Sequence, residues 1–357
     1  MTAPLDIIKP AVRALRAYTL SPHRATVKIN QNENPWDAPA EIKEEVLRRF
    51  AARQWSRYPD FIPVTLQEQL ARFANWKPDG VLVGNGSNEL IQALLMVTVG
   101  PGTQVLISEP TFALYRQVAT VLGGDVVSVL LTPDLSYDAA ALLSAVKEQQ
   151  PHVTIICSPN NPTGCLIETA DLCQLLEASR GLVVIDEAYH EFARQSVVPL
   201  LDEYENLVVL RTFSKAMAFA ALRIGYLLAA PELVQEIRKA LLPYNLNAFS
   251  QLAAEVALEK YPLLLGPTVA AIIDERERLY NAVAKIRGLQ PRKSCANFMV
   301  VKRSHDKKQI FDELLRRDIL VRDVSGYPML QDYFRFNVGT PEENDRLLSA
   351  LNEIQSQ

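Results

Sequence analysis

The chain has 357 residues, of which 48% are hydrophobic and 22% charged, and its formal net charge at pH 7 is −4. These values are ordinary for a soluble globular protein of one large or two smaller domains. The weak net charge and the lack of a long basic run argue against a nucleic-acid partner. No apolar run reaches the roughly 20 residues that a membrane span needs.

The N-terminus and the spacing of the cysteines and histidines further limit the class of protein that this chain can be. The first 16 residues carry prolines and charges where an export signal has an apolar core, so we expect a cytoplasmic protein. The four cysteines and four histidines have no metal-ligand spacing, which predicts that the chain has no metal site.

The order of predicted elements divides the chain into three parts. Residues 1–35 are rich in turn formers and predict an extended N-terminal arm. Residues 36–250 predict a large α/β domain, because short apolar runs alternate with helical patterns after a first helix over 39–54. Residues 251–357 predict a linking helix, which continues a helical region that starts near residue 247, and a small α+β domain.

The large domain is predicted to hold a mostly parallel central sheet with helices on both faces. Its predicted strands are Val81–Val83, Gln104–Ser108, Val126–Leu130, Thr154–Cys157, Leu182–Ile185, Leu207–Leu210 and Ile224–Ala229. Its predicted helices are Asn88–Val99, Phe112–Leu122, Ala139–Gln149 and Thr169–Ser179. In the small domain we expect strands at Phe298–Lys302 and Tyr333–Val338, and helices at Lys308–Arg317 and Glu342–Ile354.

The most informative motif follows the apolar run Leu207–Leu210. Ser214 and Lys215 come directly after this predicted strand, and Arg223 follows Lys215 by eight residues. A lysine at a strand end, beside hydroxyls and an arginine, suits an amine that condenses with an aldehyde next to a bound phosphate. Pyridoxal 5′-phosphate (PLP) has this requirement, because its aldehyde is carried on a lysine.

The run Leu182–Ile185 ends in an acid, Asp186, followed by Tyr189. A carboxylate at the end of a central strand is poorly solvated and needs a cationic partner, which the pyridinium nitrogen of PLP would supply. Tyr189 could donate a hydrogen bond to the phenolic oxygen of the same ring. Taken alone, an aspartate after a strand is more often a cap of the next helix or a turn residue than a cofactor contact.

Two further strand ends carry candidate ring contacts. Asn161 lies in a Pro-Asn-Asn-Pro-Thr-Gly turn and could reach the phenolic oxygen, although such a turn also favours asparagine for backbone reasons. Phe112 follows another strand and could stack on the pyridine face, with ordinary core packing as the alternative.

A phosphate site is predicted where the strand ending at Val83 runs through two glycines into a helix. Ser87 and Asn88 start this helix, whose free N–H groups favour an anion. A capping box is the compatible alternative. A dinucleotide fingerprint is excluded because Glu89 stands where the third glycine is required, which argues against a nicotinamide dehydrogenase.

Two arginines in the small domain, Arg322 and Arg335, could hold a carboxylate or a phosphate in bidentate fashion. A surface ion pair is the usual fate of a single arginine and remains the alternative for each of them.

As an ordered set, these motifs resemble the fold-type-I, PLP-dependent aminotransferases of class I and II, over about residues 5–350. Within that group the chain is similar to the histidinol-phosphate aminotransferase family. The details that support this are Asn30-Gln-Asn-Glu-Asn-Pro35, Arg57-Tyr58-Pro-Asp60, Gly84-Asn-Gly-Ser-Asn-Glu89, Val321-Arg-Asp323 and Arg335-Phe-Asn-Val-Gly-Thr340.

The resemblance implies a role for each candidate cofactor residue. Lys215 would carry the cofactor and later move a proton, Asp186 would pair with the ring nitrogen, and Asn161 and Tyr189 would bind the phenolic oxygen. The residues implied around the cofactor phosphate are Ser87, Asn88, Thr212, Ser214 and Arg223.

The resemblance also implies the substrates and a homodimer. Tyr58 would reach the cofactor phosphate of a partner subunit, or it would simply pack in its proline-flanked loop. Tyr18, Arg322 and Arg335 would contact the substrates, which are L-histidinol phosphate with 2-oxoglutarate, giving imidazole-acetol phosphate and L-glutamate, in histidine biosynthesis.

Three departures from the family pattern bear on the site. Asn88 stands where the family commonly has Asp, Gln31 replaces a small residue, and the loop between Arg322 and Arg335 is long enough to change the substrate pocket. The open alternatives are an aromatic amino-acid aminotransferase, an O-phosphothreonine decarboxylase and a non-catalytic PLP-binding regulator. The last usually adds a DNA-binding module, for which the first 30 residues offer little room.

Overall fold

The computed structural model describes residues 4–17, 22–303 and 307–356, with no side-chain description for 307–309. Its strands are β1 (Val27–Lys28), β2 (Val81–Gly84), β3 (Gln104–Glu109), β4 (Asp125–Leu130), β5 (Val153–Cys157), β6 (Leu182–Asp186), β7 (Leu207–Thr212), β8 (Gly225–Ala229), β9 (Leu289–Pro291), β10 (Phe298–Arg303), β11 (Ile319–Leu320), β12 (Arg322–Asp323) and β13 (Tyr333–Asn337).

The helices connect these strands and cover the sheets. They are α1 (Pro10–Ala14), α2 (Ala40–Ala51), α3 (Val64–Ala74), α4 (Ser87–Thr98), α5 (Leu114–Leu122), α6 (Ala139–Gln149), α7 (Thr169–Ala178), α8 (His190–Ala193), α9 (Pro231–Arg238), α10 (Ala248–Lys260), α11 (Gly266–Val283), α12 (Lys307–Arg316) and α13 (Pro341–Ser356). A π-helical turn, Tyr261–Leu265, joins α10 to α11.

The central sheet has seven strands in the order β2-β8-β7-β6-β5-β3-β4. Strand β8 runs antiparallel to both of its neighbours, and the other pairs are parallel. Strands β2, β5, β7 and β8 are buried along their whole length, which explains their continuous apolar runs. The predicted α/β class with a mostly parallel sheet is confirmed.

Two apolar clusters cover the two faces of this sheet. One contains residues of α2, α3, α6, α7 and α10, and the other contains residues of α4, α5 and α9. The helices bury one stripe each, as the 3.6-residue period dictates. Because both faces are covered, we expect a ligand cavity at the carboxyl ends of the strands.

A smaller antiparallel sheet, in the order β12-β13-β10-β9, packs with α11 and α13 around a separate apolar cluster. The N-terminal segment joins this part of the molecule, because β1 pairs in parallel with β11, Val27 opposite Ile319. The residues that follow β1 therefore lie between the small sheet and the large one.

The stretch Ala248–Val283 is long and apolar enough to cross a membrane, judged by length and composition alone. The sequence analysis expects no such span. The same measure also selects core helices of soluble proteins, and α10 buries residues against α2 and α3. Helix α10, at the start of the predicted linking helix, therefore packs on the core of the large domain.

Candidate active site

A cavity of about 430 Å³ opens at the carboxyl ends of β2, β3, β5, β6 and β7 and is closed on its other side by the small sheet and the N-terminal segment. Twelve of the fourteen candidate site residues line it. They are Ser87, Asn88, Phe112, Asn161, Asp186, Tyr189, Thr212, Ser214, Lys215, Arg223, Arg322 and Arg335.

One end of the cavity is an anion cradle at the start of α4. Gly86, with φ of +82°, is the N-cap residue, and no side-chain hydrogen bond caps this helix. A Cβ at Gly86 would lie 2.5 Å from Nη2 of Arg223, so only glycine lets the guanidinium approach this turn. Arg223 Nη1 donates to Oγ of Ser214 at 3.2 Å. An arginine, two serines and free helix N–H groups form a fitting site for a phosphate.

Lys215 lies deeper in the cavity, after β7. Its Nζ donates to the backbone oxygen of Gln31 at 3.1 Å and lies 5.8 Å from the ring centroid of Tyr189. Burial, followed by the nearby charge of Arg335, lowers the pKa of this amine to about 8. A substantial fraction of the amine is therefore neutral near pH 8, which is the form that attacks an aldehyde or accepts a proton.

Asp186 ends β6 and is fully buried. Its Oδ1 accepts from the N–H of Ala188 at 3.0 Å, and its Oδ2 accepts from the hydroxyl of Tyr115 at 2.7 Å. Burial raises the pKa of this carboxyl, while the two hydrogen bonds lower it. It does not cap α8, whose N-cap residue is Tyr189. A desolvated acid of this kind is matched to a cationic ligand group.

Tyr189 and Asn161 face the cavity from different elements. The hydroxyl of Tyr189 accepts from Nδ2 of Asn32 at 3.0 Å, and burial raises the pKa of Tyr189 well above its usual range. Oδ1 of Asn161 accepts from Nη1 of Arg335. Both side chains thus have one protein partner, and each retains hydrogen-bonding capacity towards a ligand in the cavity.

Arg322 and Arg335 are directly opposed neighbours on the antiparallel strands β12 and β13. Arg335 is buried, and its Nη2 donates to the backbone oxygen of Asn30 at 3.0 Å. Like charges in directly opposed positions repel each other, so a bound anion between them would stabilise the pair. The burial of Arg335 does not fit the surface ion pair that the sequence left open for it.

Phe112 lies just before α5 and lines the cavity. Its ring meets the ring of Tyr115 edge to face, at 5.6 Å between centroids and an interplanar angle of 88°. This contact fixes the orientation of a flat apolar surface inside the cavity, as stacking on an aromatic ligand ring requires.

One described candidate residue, Tyr58, lies away from this cavity. Tyr58 is 79% exposed and stacks on Tyr244 at 4.4 Å between ring centroids, in a separate surface groove that also includes Trp55. Tyr18 lies outside the described residues. Tyr58 belongs to the loop between α2 and α3, and this loop does not line the cavity.

Several contacts of the candidate site are not predicted by the sequence. The segment after β1 supplies the oxygen that holds Lys215 and the amide of Asn32 that holds Tyr189, and Tyr115 holds Asp186. The cluster of three asparagines in residues 30–34 was the available signal, because buried asparagines commonly satisfy backbone and side-chain partners. Tyr115 gives no local signal, since an apolar helix face also selects tyrosine.

The family-level comparison agrees with this geometry. The model for aminotransferase class I and II matches residues 24–351. The chain belongs to this family and is a PLP-dependent transaminase of fold type I.

Individual relatives agree on a narrower group. A histidinol-phosphate aminotransferase of Chlorobium phaeobacteroides is 41% identical over 348 residues, covering 97% of this chain and 96% of the relative. One from Chlorobium limicola is 38% identical over 351 residues, covering 98% of each. The crystal structure of histidinol-phosphate aminotransferase from Sinorhizobium meliloti in complex with pyridoxal-5′-phosphate has a TM-score of 0.87 and 26% identity, with 97% of each chain covered.

Proposed function

We propose that this chain is a histidinol-phosphate aminotransferase, which moves an amino group between L-histidinol phosphate and 2-oxoglutarate in histidine biosynthesis. The observation that carries the proposal is the opposed pair Arg322 and Arg335 on the same cavity as Lys215. One guanidinium pair can bind the phosphate of one substrate and the carboxylate of the other. Relatives of that name, at about 40% identity over nearly the whole chain, support the same choice.

The residues that line the cavity fit both the phosphate and the ring of PLP. When bound, PLP supplies an electron sink for the carbanion that forms at the substrate carbon. Thr212, Ser214 and Arg223, with Ser87 and Asn88 at the start of α4, would hold its phosphate. Backbone N–H donation at position 88 does not depend on the side chain, so Asn88 serves as well as an aspartate there.

The ring contacts follow from the buried polar groups. We assign Asp186 to the ring nitrogen, because a buried carboxylate keeps an adjacent nitrogen protonated. Asn161 and Tyr189 would bind the phenolic oxygen, and Phe112 would stack on the ring face. None of these groups needs to change protonation during the reaction.

Lys215 would both carry the cofactor and move the proton. Its amine, once displaced by the amine of the substrate, would be neutral in a substantial fraction near pH 8 and could take the proton from the substrate carbon. The backbone oxygen of Gln31 holds this amine in place through a partner that does not titrate. Position 31 therefore contributes through its main chain, whatever its side chain.

We further propose a homodimer in which Tyr58 reaches the cofactor phosphate of the partner subunit. The groove around Tyr58 includes Trp55, which is 74% exposed, and the exposed ring of Phe61 packs on Tyr244, the stacking partner of Tyr58. An apolar patch of this kind favours a second protein surface. Sedimentation of the purified chain as a monomer at micromolar concentration would contradict the dimer.

The domain limits and the location complete the proposal. We divide the chain into an arm of residues 1–35, a large PLP-binding domain of 36–250, and the linking helix with the small domain, 251–357. The arm strand β1 pairs with the small domain through β11, which suits an arm that closes the cavity. A cytoplasmic location suits an enzyme of amino-acid biosynthesis and can be checked by cell fractionation.

A half-reaction tests the substrate. The purified, PLP-loaded chain would be mixed with L-histidinol phosphate in the absence of any keto acid, and in parallel with L-phenylalanine, while the absorbance of lysine-bound PLP is followed. We expect rapid loss of this absorbance with histidinol phosphate and slow loss with phenylalanine.

A response to phenylalanine alone would overturn the proposed substrate and favour an aromatic amino-acid aminotransferase. Release of carbon dioxide from O-phosphothreonine would favour the decarboxylase. The control is the Lys215→Ala variant, which removes the lysine-bound absorbance.

A further inference from the structure

We propose that Tyr115 is a positioning residue of the cofactor site, whose hydroxyl keeps the Asp186 carboxylate ionised and oriented for the ring nitrogen of PLP. The inference rests on the proposed function, because it takes Asp186 as the partner of that nitrogen. Tyr115 lies in α5, far from the motif that contains Asp186 in the sequence.

The geometry gives each carboxylate oxygen one protein donor. The hydroxyl of Tyr115 donates to Oδ2 at 2.7 Å, and the N–H of Ala188 donates to Oδ1 at 3.0 Å. Both Tyr115 and Asp186 line the cavity and are buried. Two donors on different oxygens fix the plane of the carboxylate and leave lone pairs for a ligand in the cavity.

The groups around Asp186 identify the hydroxyl of Tyr115 as the side-chain hydrogen-bond donor to this carboxylate. The titratable groups that face the carboxylate are Tyr115, Tyr137, Cys157, Glu187, Tyr189 and Lys215. Within the described residues, Tyr115 is the one among them whose side chain donates a hydrogen bond to it.

The pKa shifts of Asp186 and Tyr115 support the same role for the Tyr115 hydroxyl. Burial raises the pKa of Asp186, and the hydrogen bond from Tyr115 is the largest effect that lowers it. Burial also raises the pKa of Tyr115 itself, so its hydroxyl stays protonated and remains a donor. A buried carboxyl without such a donor takes up a proton and no longer offers a negative charge to a cationic ring nitrogen.

The ring and the hydroxyl of Tyr115 have separable contacts. The ring packs edge to face on Phe112, and the hydroxyl binds Asp186. Tyr115→Phe therefore removes the hydrogen bond and keeps the packing. The matched control is Tyr137→Phe. The hydroxyl of Tyr137, which is partly buried, donates at 2.6 Å to the backbone oxygen of Cys157, and a backbone oxygen does not titrate.

The first test measures unfolding of the full chain without cofactor as a function of pH. Below the usual pKa of an aspartate, the carboxyl is neutral in both the folded and the unfolded state. Above it, the unfolded chain releases a proton that the folded carboxyl retains up to its own raised pKa, in wild type as well as in the variant. Without the hydroxyl that folded-state pKa rises further, so between the two folded-state pKa values Tyr115→Phe loses stability relative to wild type as pH rises. We expect this pH-dependent loss for Tyr115→Phe and a constant difference for Tyr137→Phe.

The second test measures the dissociation constant of PLP itself. We expect it to rise about 10-fold in Tyr115→Phe, since a hydrogen bond to a charged group is lost, and to change little in Tyr137→Phe. Two variants that behave alike in both tests would overturn the role of Tyr115. That result would leave the substrate assignment untouched, because the half-reaction of the wild-type chain tests it separately.

A third variant covers the case in which Tyr115→Phe does not fold. Adding Asp186→Asn removes the carboxylate that the lost hydroxyl leaves without its donor. Recovery of a folded chain in the double variant would support the inference, and failure of both variants to fold would overturn it.

Discussion

The two ends of the active-site cavity are built in different ways. The proposed cofactor end uses the carboxyl ends of parallel strands, where Asp186 is buried and Lys215 is partly buried between covered sheet faces. The proposed substrate end uses the short antiparallel pair β12 and β13, whose loop is partly exposed. The first end provides a fixed, dry environment for chemistry common to the family, and the second end can vary its loop without disturbing that environment.

This difference predicts that changes at the cofactor end abolish reaction with every substrate, whereas changes at the substrate end alter the choice among substrates. Four experiments test this contrast, and their expected effects decrease in the order given below.

Replacing Lys215 is expected to have the largest effect. Lys215→Ala should lower kcat by about 10³-fold or more with every amino donor, because the amine that moves the proton is missing. The chain should still fold, since the loss removes a buried amine and not an apolar core group. Thermal unfolding and steady-state rates check both statements. Lys239→Ala, at an exposed lysine paired with Glu236, is the control and should keep the wild-type rate.

Gly86→Ala tests the anion cradle at the start of α4. The new Cβ would lie 2.5 Å from Nη2 of Arg223, so the guanidinium must move and the dissociation constant of PLP should rise about 10-fold or more. Gly102→Ala is the matched control, because Gly102 has φ of +83° but nothing within 4 Å of its Cβ position. Both variants place a Cβ on a backbone with nearly the same positive φ, so equal PLP affinities would contradict the role of Gly86.

Arg322→Ala tests the substrate end. It should raise KM for L-histidinol phosphate about 10-fold while changing KM for L-phenylalanine less, since one charged hydrogen-bonding partner of the phosphate is lost. Steady-state kinetics with both donors make the comparison. Arg316→Ala, at an exposed arginine, is the control. Equal increases for the two donors would argue against a phosphate-binding role.

The smallest expected effect concerns the pH dependence of PLP attachment to Lys215. Binding of PLP to the cofactor-free chain needs a neutral amine, and the pKa of Lys215 is lowered from 10.5 to about 8. The rate of covalent PLP attachment should therefore rise with pH up to about 8 and then level off. Attachment to exposed lysines, measured on Lys215→Ala, should continue to rise above that pH. A rate that still climbs at pH 10 in the wild-type chain would contradict the lowered pKa.

The sequence by itself predicted the strands of the central sheet and, through local motifs, twelve of the residues that line the cavity. The predicted strands of the central sheet match the observed ones to within one or two residues at either end, because continuous apolar runs and their bounding glycines and prolines are local signals. Motifs that follow strand ends are local as well. The sequence could therefore place Lys215, Asp186, Ser87 and Asn161 on one edge of a parallel sheet before their contacts were known.

Only the tertiary structure decided how these residues are held. The pairing of β12 with β13 places Arg322 opposite Arg335, the arm brings Asn32 to Tyr189, and α5 brings Tyr115 to Asp186. Short elements such as β1, β11 and β12, of two residues each, are too brief to leave a periodic signal. Each of these contacts joins residues far apart in the chain, so it depends on how the elements pack, which a local pattern does not encode.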